Sequence, residues 1–193
     1  NGAWQVIGDP TEGALLVAAA KLAFTLEALE PTHRFLGEVP FDPARKRMTT
    51  FHQQGAAYVA YTKGAPESVL PCCRAQWTAQ GPQPLDHSAV ESEALAMAAR
   101  GLRVLALARR DHAALPDTNA LGSVESRLEF LGLIALIDPP RPEAALAVRD
   151  CISAGITVVM ITGDHPATAR AIAHRLGIVT DEQAEVLTGQ ALT

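Results

Sequence analysis

The chain has 193 residues, a length that suits one large domain or two small ones. Apolar residues make up 48% of it and charged residues 19%, which predicts a packed core and excludes a disordered chain. The net charge of −5 argues against nucleic-acid binding, and the three cysteines, an odd number, indicate free thiols rather than a disulfide framework.

The first element in chain order is a helix that begins after Asp9. Asp9 can cap it, Pro10 suits its first position, and Glu12 has the spacing of a capping box. Apolar residues then recur at helical spacing, which predicts that they share one helix face; they are Leu15, Ala19, Leu22 and Leu26.

Short extended segments follow this helix. We predict strands at residues 34–39, 48–52 and 56–62, with a turn at residues 53–55 between the last two. Pro66 opens a short helix, and residues 74–87 and 111–123 are expected to be loops. Between those loops, the spacing of Ser88 and Glu91 predicts a helix that ends at Gly101, and residues 102–109 predict a strand.

The pattern changes near residue 130. Two continuously apolar segments, 130–137 and 156–161, predict buried parallel strands joined by a helix over residues 142–154. Both are far shorter than the roughly 20 residues of a membrane span, so we expect a soluble chain that does not enter the membrane. The predicted fold class is α+β, an antiparallel sheet with flanking helices over residues 1–130, followed by a partial α/β parallel segment over residues 131–193.

Polar residues follow both apolar segments of the second half. Asp138 comes after the first, and Thr162, Gly163 and Asp164 come after the second. Ligand sites of open α/β sheets lie at this edge, and the second group suits a phosphate with Mg²⁺. Two plainer interpretations stay open, a strand-to-helix turn at 162–164 and a rigid linker at Asp138. No Cys-x-x-Cys motif occurs in the sequence, and we expect no metal site within the chain.

The first half contains residue types that could bind a nucleotide without a glycine-rich loop. They are an aromatic ring for the base, cations for the phosphates, a glycine for close approach and a carboxylate for the base amino group: Phe41, Lys46, Lys63, Arg103, Gly64 and Glu12. Each also has an alternative interpretation. Glu12 fits a capping box, Phe41 could be a core residue, residues 45–47 could be a solvated loop, and Lys63 could cap a turn.

Six motifs in chain order resemble the P-type ATPases, in particular bacterial members of the calcium-pump and sodium-pump branch. They are Gly-Asp-Pro-Thr-Glu-Gly-Ala-Leu at residues 8–15, Phe-Asp-Pro-Ala-Arg-Lys-Arg-Met at 41–48, Lys-Gly-Ala-Pro-Glu at 63–67, Gly-Leu-Arg-Val-Leu-Ala at 101–106, Asp-Pro-Pro-Arg at 138–141 and Thr-Gly-Asp-His at 162–165.

The resemblance implies a nucleotide-binding domain followed by part of a phosphorylation domain of the haloacid-dehalogenase fold. It implies that Phe41 stacks on adenine, that Glu12 meets the adenine edge, and that Lys46 and Lys63 line the pocket. On the phosphate side it implies a contact from Arg103. It also implies that Thr162, Gly163 and Asp164 belong to the phosphoryl-transfer site, and that a hinge between the two domains contains Asp138, Pro139 and Arg141.

The sequence departs from the family's pattern at several points. The phosphorylated Asp-Lys-Thr-Gly-Thr motif and the Mg²⁺-binding Gly-Asp-Gly-x-Asn-Asp motif are absent, Pro43 stands where some relatives carry a basic residue, and the domain's first strands are expected to be missing. We therefore expect ATP binding without catalysis in this chain. The intact pump would use ATP and Mg²⁺ and lie in the cell membrane, with this portion on the cytoplasmic side beside the other domains and the membrane helices.

Two competing hypotheses follow from the residues alone. A self-contained haloacid-dehalogenase-like phosphatase would use the sheet edge at Asp138 and Thr162–Asp164, although no Asp-x-Asp pair is present. A non-catalytic interaction domain would use the predicted loops at 74–87 and 111–123. The transported ion is not readable from this chain, and calcium is a guess from the branch.

Overall fold

The computed structural model of the chain describes residues 7–117, 121–181 and 184–188. The fold consists of two compact units. The first comprises Asn1–Leu85 and Leu105–Leu136, and the second comprises Asp86–Val104 and Ile137–Thr193. The chain therefore leaves the first unit twice, at Leu85 and at Leu136.

Seven helices, one 3₁₀ turn and seven strands make up the described structure. In chain order they are α1 (Pro10–Lys21), α2 (Leu26–Leu29), β1 (Arg34–Asp42), β2 (Arg47–Gln54), β3 (Ala57–Gly64), α3 (Pro66–Val69), the 3₁₀ turn (Leu70–Cys72), β4 (Cys73–Thr78), β5 (Gly81–Pro84), α4 (His87–Ala99), β6 (Arg103–His112), α5 (Leu121–Val124), β7 (Leu128–Leu136), α6 (Pro142–Ser153) and α7 (Pro166–Leu176). Within the described ranges, every helix is too short or too polar to cross a membrane.

One seven-stranded sheet with the order β1-β2-β3-β6-β7-β4-β5 forms the first unit. The pairs β1–β2, β2–β3, β3–β6 and β4–β5 are antiparallel, whereas β4 and β7 are parallel. The expected antiparallel sheet is thus a mixed one. The parallel pair is possible because a long crossover, which includes α4 and β6, separates β4 from β7 along the chain.

The β2–β3 hairpin pairs along its whole length without a register shift and confirms the two strands predicted there. Gly55 has φ +62° at the turn, a conformation that glycine adopts without steric cost. Phe51 pairs with Ala60 across the hairpin, and both pack with Val39 and Val124 in the core. Thr49 and Phe51, which alternate along β2, are both buried, as expected for side chains on one face of a strand.

Residues 74–87 were expected to be a loop, and this prediction was wrong. They contain most of β4 and the whole of β5, which pair with each other over Ala75–Thr78. Their sequence is polar and contains Pro82 and Pro84, so it lacks the alternation of a half-buried strand. β5 lies at the edge of the sheet, where proline costs no ladder hydrogen bond on the open side.

The loop predicted at residues 111–123 is also partly regular. β6 continues to His112, and α5 occupies Leu121–Val124, while residues 118–120 lie outside the described ranges. Pairing with β3 extends as far as Tyr58 opposite His112. The strand is longer than predicted because its neighbour supplies hydrogen bonds to the polar residues at its end.

Helix α1 begins as predicted, with the Asp9 carboxylate accepting a 2.6 Å hydrogen bond from the Thr11 amide. It ends at Lys21, however, so Leu22 follows it and Leu26 belongs to α2, and the predicted four-residue apolar face is interrupted. Helix α4 begins two residues before the predicted start, because the N-cap is Asp86, whose carboxylate accepts from the Ala89 amide at 3.0 Å, rather than Ser88. Gly101, with φ +80°, follows its C-terminal end as predicted.

Helices α4 and α7 pack together in the second unit. Ala98 of α4 and Ala169 and Ala173 of α7 are buried. The Thr168 hydroxyl donates to the Leu102 carbonyl at 2.9 Å, and the Arg175 guanidinium donates to the Arg100 carbonyl at 3.2 Å. These contacts hold the segment after α4 against α7, from the first turn of α7 to its last.

The predicted parallel strand at residues 156–161 is absent from the structure. These residues have no regular structure, and Ile161 is 94% exposed. The preceding apolar segment forms β7, but it pairs with β4 in the first unit instead of opening a second sheet. A strand requires a hydrogen-bonded neighbour, and no strand of the described ranges pairs with residues 156–161.

Candidate functional site

Phe41 lies at the end of β1, where the chain turns towards β2. Its side chain is exposed, with 58% of the residue's surface accessible. The alternative that Phe41 is a core residue is therefore wrong. An exposed ring beside a basic turn can offer its face to a planar base.

The turn after Phe41 is ordered by its own hydrogen bonds. The Asp42 carboxylate accepts from the amides of Ala44 at 2.7 Å and Arg45 at 3.0 Å, and these amides lower the pKa of the Asp42 carboxyl. The Lys46 amide donates to the Asp42 carbonyl at 2.6 Å. Lys46 itself has φ +51°, which is uncommon for a residue with a side chain. The turn is thus a defined conformation rather than a loose loop.

Lys46 forms an exposed ion pair with Glu67, at 3.1 Å between the ammonium nitrogen and the carboxylate oxygen. Glu67 lies on α3, immediately after β3. About half of each side chain is exposed, so both charges are largely solvated. The pair leaves the ammonium accessible to an anion from solution.

Lys63 contacts Glu12 through an ammonium–carboxylate pair. Lys63 lies near the end of β3, opposite Met48, and Glu12 lies in the first turn of α1. The Asp9 side chain caps α1, whereas the Glu12 side chain reaches Lys63 instead. The structure therefore brings together two residues that the sequence assigned to one site.

Gly64 is required by the protein's own backbone. A Cβ atom on Gly64 would lie within 2.7 Å of the Arg47 Cα atom and would also contact the Lys46 carbonyl. Arg47 pairs with Gly64 in the sheet, and the Ala65 amide donates to the Lys46 carbonyl at 3.0 Å. The glycine thus lets the turn that carries Lys46 approach the end of β3.

Glu125, which sequence reasoning missed, is the buried acceptor beneath this turn. Its side chain is 1% exposed, and it accepts from Arg45 at 2.6 and 2.7 Å, from Arg47 at 2.7 Å and from the Thr49 hydroxyl at 3.0 Å. Burial raises the pKa of the Glu125 carboxyl, but the hydrogen bonds from Arg45, Arg47 and Thr49 outweigh it and hold the pKa below its usual range. The sequence offered one indication of a shared partner, the two arginines on either side of Lys46, but it did not show which carboxylate they would contact.

The second unit brings Arg103 and Asp164 together. The Arg103 guanidinium donates to one Asp164 oxygen at 2.6 Å, and the Thr162 hydroxyl donates to the other at 2.9 Å. The Asp164 amide donates in turn to the Thr162 hydroxyl at 3.0 Å. Burial raises the pKa of the Asp164 carboxyl, but the hydrogen bonds from Arg103 and Thr162 outweigh it, so the pKa lies below its usual range.

The turn at Thr162–Asp164 leads directly into α7. The His165 ring accepts from the Ala167 amide at 3.2 Å, and α7 begins at Pro166. A Cβ atom on Gly163 would meet nothing within 4 Å, so the space around this backbone is open. The plainer interpretation was a strand-to-helix turn at these residues, and the structure shows a turn into a helix but no strand before it. The open space at Gly163 is compatible with a phosphate near the helix N-terminus.

The predicted hinge residues lie where the chain passes from the first unit to the second. Asp138, Pro139 and Arg141 are exposed and follow the boundary at Leu136. Arg141 precedes the first residue of α6 and gives that helix no side-chain cap. Their assignment to a hinge stays a prediction, as does each residue's contact with a ligand.

Comparisons with known proteins agree on one family. The family model described as "P-type ATPase, cytoplasmic domain N" matches residues 1–143. The chain is 43% identical over 193 residues to a probable cation-transporting ATPase F of Mycobacterium tuberculosis, covering 98% of the chain and 21% of that relative. It is 43% identical over 192 residues to the cation-transporting ATPase pma1 of Synechocystis, with the same shares covered.

A third relative is the calcium-transporting ATPase of Bacillus subtilis, 39% identical over 197 residues, with 100% of the chain and 22% of the relative covered. The chain thus spans about a fifth of the length of the curated relatives it matches.

Proposed function

The chain belongs to the P-type ATPases, whose cytoplasmic domain N it contains, and on that premise we propose that its first unit binds ATP. The observation that carries the proposal is the exposed ring of Phe41 at the start of the turn that presents Lys46. Base stacking contributes roughly 1–3 kcal/mol, and only a few exposed cations add to it. We expect a dissociation constant on the order of 0.1–1 mM, equivalent to about 4–5.5 kcal/mol.

The Glu12–Lys63 pair supplies the second part of the proposed site. Lys63 would exchange the Glu12 carboxylate for nucleotide phosphate oxygens, and Glu12 would accept a hydrogen bond from the adenine amino group. The Glu12 side chain is 47% exposed, but the Lys63 side chain is only 23% exposed, so the pair is partly buried. The cost of separating the two charges would be offset because each would form a hydrogen bond with the nucleotide in exchange.

We assign the second unit to the phosphoryl end of the reaction. Arg103 and the turn of Thr162, Gly163 and Asp164 would contribute to the phosphoryl site, within a partial haloacid-dehalogenase-like domain. The exposed apolar side chains of Ile156, Val159 and Ile161 support this, because a strand from another part of the pump would supply the hydrogen bonds that no strand of the described residues provides. The nucleophilic aspartate would also come from outside this chain, in which its motif is absent.

Mg²⁺ fits these residues only in part. The ion prefers six oxygen ligands in near-octahedral geometry and usually retains waters and phosphate oxygens. Asp164 offers one carboxylate, whose two oxygens already accept from Arg103 and Thr162. We therefore propose that most Mg²⁺ ligands of the intact pump lie outside this chain, and that ATP binding by the chain depends little on Mg²⁺.

The activity of the whole protein is proposed from its relatives. We propose that it couples ATP hydrolysis to cation transport across the cell membrane, with this portion on the cytoplasmic side. The names of its relatives include calcium, sodium/potassium and potassium transporters, so the name of the family does not identify the ion. Calcium is the first ion to test, since one relative whose match includes 100% of this chain is named a calcium-transporting ATPase.

NMR titration of the 193-residue chain with ATP tests the nucleotide site, with Phe41→Ala as the variant and Phe35→Ala as its matched control. Phe35 lies on the same strand and is similarly exposed, at 55%, but it contacts the His52 ring rather than the turn. We expect Phe41→Ala to weaken binding at least tenfold and Phe35→Ala to leave it within twofold of the unmodified chain. Equal affinity of Phe41→Ala and the unmodified chain would disprove the stacking contact.

The two competing functions have their own readouts. A self-contained phosphatase would release phosphate from an aryl phosphate such as p-nitrophenyl phosphate, and we expect no release. A non-catalytic interaction domain would show no change of melting temperature with ATP, whereas a ligand at ten times its dissociation constant stabilises by about 1.4 kcal/mol. A rise in melting temperature with ATP but not with ribose triphosphate would favour nucleotide binding.

A further inference from the structure

A buried carboxylate lies beneath the turn that carries the proposed base platform. Glu125 follows α5, far from this turn in sequence, and its side chain is almost fully enclosed. Its two oxygens together accept hydrogen bonds from Arg45, Arg47 and Thr49. A buried ion held by several donors in this way fixes the positions of its partners, because losing one donor leaves a charge without compensation.

The two arginines transmit this constraint to both sides of Lys46. A second nitrogen of the Arg45 guanidinium donates to the Pro40 carbonyl at 2.9 Å, one residue before Phe41. Arg47 donates to the carbonyl and the hydroxyl of Ser68, at 3.2 and 3.0 Å, and the Ser68 hydroxyl donates to the Arg45 carbonyl. The backbone on either side of the turn is thus tied to one point in the interior.

Lys46 lies between the two arginines and has a different partner. Both of its neighbours use their side chains to reach Glu125, whereas Lys46 has a left-handed backbone conformation and its side chain pairs with the exposed Glu67. Gly64 and the Ala65 amide hold the same stretch from the other side. The backbone next to Phe41 and the residues on both sides of Lys46 are therefore held by one set of contacts.

We propose that Glu125 is a positioning residue of the nucleotide site, which anchors Arg45 and Arg47 so that the turn between them presents Phe41 and Lys46 to ATP. The inference rests on the proposed ATP binding. Glu125 itself does not contact the nucleotide in this scheme. It acts through the turn. Its loss would keep Phe41 and Lys46 in the chain but remove the contacts that fix their orientation.

The test compares Glu125→Gln with Glu129→Gln in the 193-residue chain. Glu129 is the matched control, because its carboxylate is also largely buried, at 11% side-chain exposure, and pairs with one arginine, Arg74, at 3.2 Å. It lies on β7 and is not connected to the turn by any hydrogen bond among the described residues. Both variants remove a buried charge, but only one of them disconnects Phe41 and Lys46.

We expect Glu125→Gln to weaken ATP binding about fivefold to tenfold by NMR titration and Glu129→Gln to stay within twofold of the unmodified chain. In the ligand-free chain, hydrogen exchange of the Lys46 amide should accelerate at least tenfold in Glu125→Gln and remain unchanged in Glu129→Gln. Arg45→Lys, which keeps the charge but loses the contact with Pro40, provides a milder second variant that should accelerate the same amide if Glu125→Gln does not fold.

Two results would overturn the positioning role. One is slow Lys46 exchange in Glu125→Gln or Arg45→Lys. The other is an equal loss of ATP affinity in Glu125→Gln and Glu129→Gln at matched melting temperatures, which would indicate general destabilisation. Failure of the unmodified chain to bind ATP would instead contradict the proposed function, and the exchange measurement, which needs no ligand, separates the two.

Discussion

The ammonium group of Lys63 contacts the carboxylate of Glu12, although 51 residues separate them in the sequence. One lies near the end of a central strand and the other in the first turn of a helix. Asp9 supplies the side-chain cap of that helix, and the Glu12 carboxylate pairs with Lys63. The pair therefore supports an assignment to one site that the motifs alone could only suggest.

Replacing Lys63 with methionine should weaken ATP binding about threefold to tenfold, on the order of 1 kcal/mol. The methionine keeps the unbranched shape of the side chain but removes the cation that we expect to meet the phosphates. Lys21→Met is the control, since Lys21 is an exposed lysine in the last turn of α1. NMR titration with ATP measures both, and equal affinities would refute the role of Lys63.

Glu12→Gln should reduce the preference for ATP over GTP several-fold. A carboxylate accepts from the adenine amino group and repels the guanine carbonyl oxygen, whereas a glutamine amide can also donate to that carbonyl. Glu67→Gln serves as the control, because it removes an exposed carboxylate that also pairs with a lysine of the site. Parallel ATP and GTP titrations give the ratio, and an unchanged ratio in Glu12→Gln would contradict a contact with the base.

Gly64→Ala should destabilise the chain by about 1–3 kcal/mol, because the added methyl group would overlap the backbone of Arg47. The strands would have to separate at the point where the turn meets β3. Gly163→Ala, which adds the same group where nothing lies within 4 Å, should change stability by less than about 0.5 kcal/mol. Urea unfolding followed by circular dichroism measures both, and similar midpoints would show that the turn relaxes without cost.

The β2–β3 hairpin and the start of α1 could be predicted from the sequence, because their signals are local. The β2–β3 hairpin was predicted because two short extended segments flank a turn at residues 53–55, where Gly55 suits the turn. The start of α1 was predicted because Asp9 and Pro10 carry a helix-start signal that does not depend on the rest of the chain. Elements whose signals lie within a few residues are predictable in this way.

Elements that depend on residues far away in the sequence were not predicted correctly. β4 is largely polar and β5 contains two prolines, and these strands exist because β7 supplies hydrogen bonds to β4 and β4 supplies them to β5. Conversely, residues 156–161 are apolar enough for a buried strand but have no neighbouring strand among the described residues. Glu125 was missed for the same reason, since its importance comes from Arg45 and Arg47, about 80 residues earlier.

The carboxyl group of Asp164 should titrate below the usual range of an aspartate, with Arg103 as the principal removable cause. The hydrogen bonds from Arg103 and Thr162 favour the charged form more than burial disfavours it. Because the folded pKa lies below the unfolded value of about 3.9, the stabilisation is fully present above that pH. It is lost as the pH falls through the folded pKa. Arg103→Met should therefore raise the pKa of Asp164.

Carbon-13 NMR of the side-chain carboxyl measures this titration directly, and Arg149→Met on α6 is the control for removing an arginine from the same unit. The unmodified chain and Arg149→Met should share one low midpoint, and Arg103→Met should titrate at a higher pH. An Asp164 midpoint unaffected by Arg103→Met would show that the ion pair does not persist in solution.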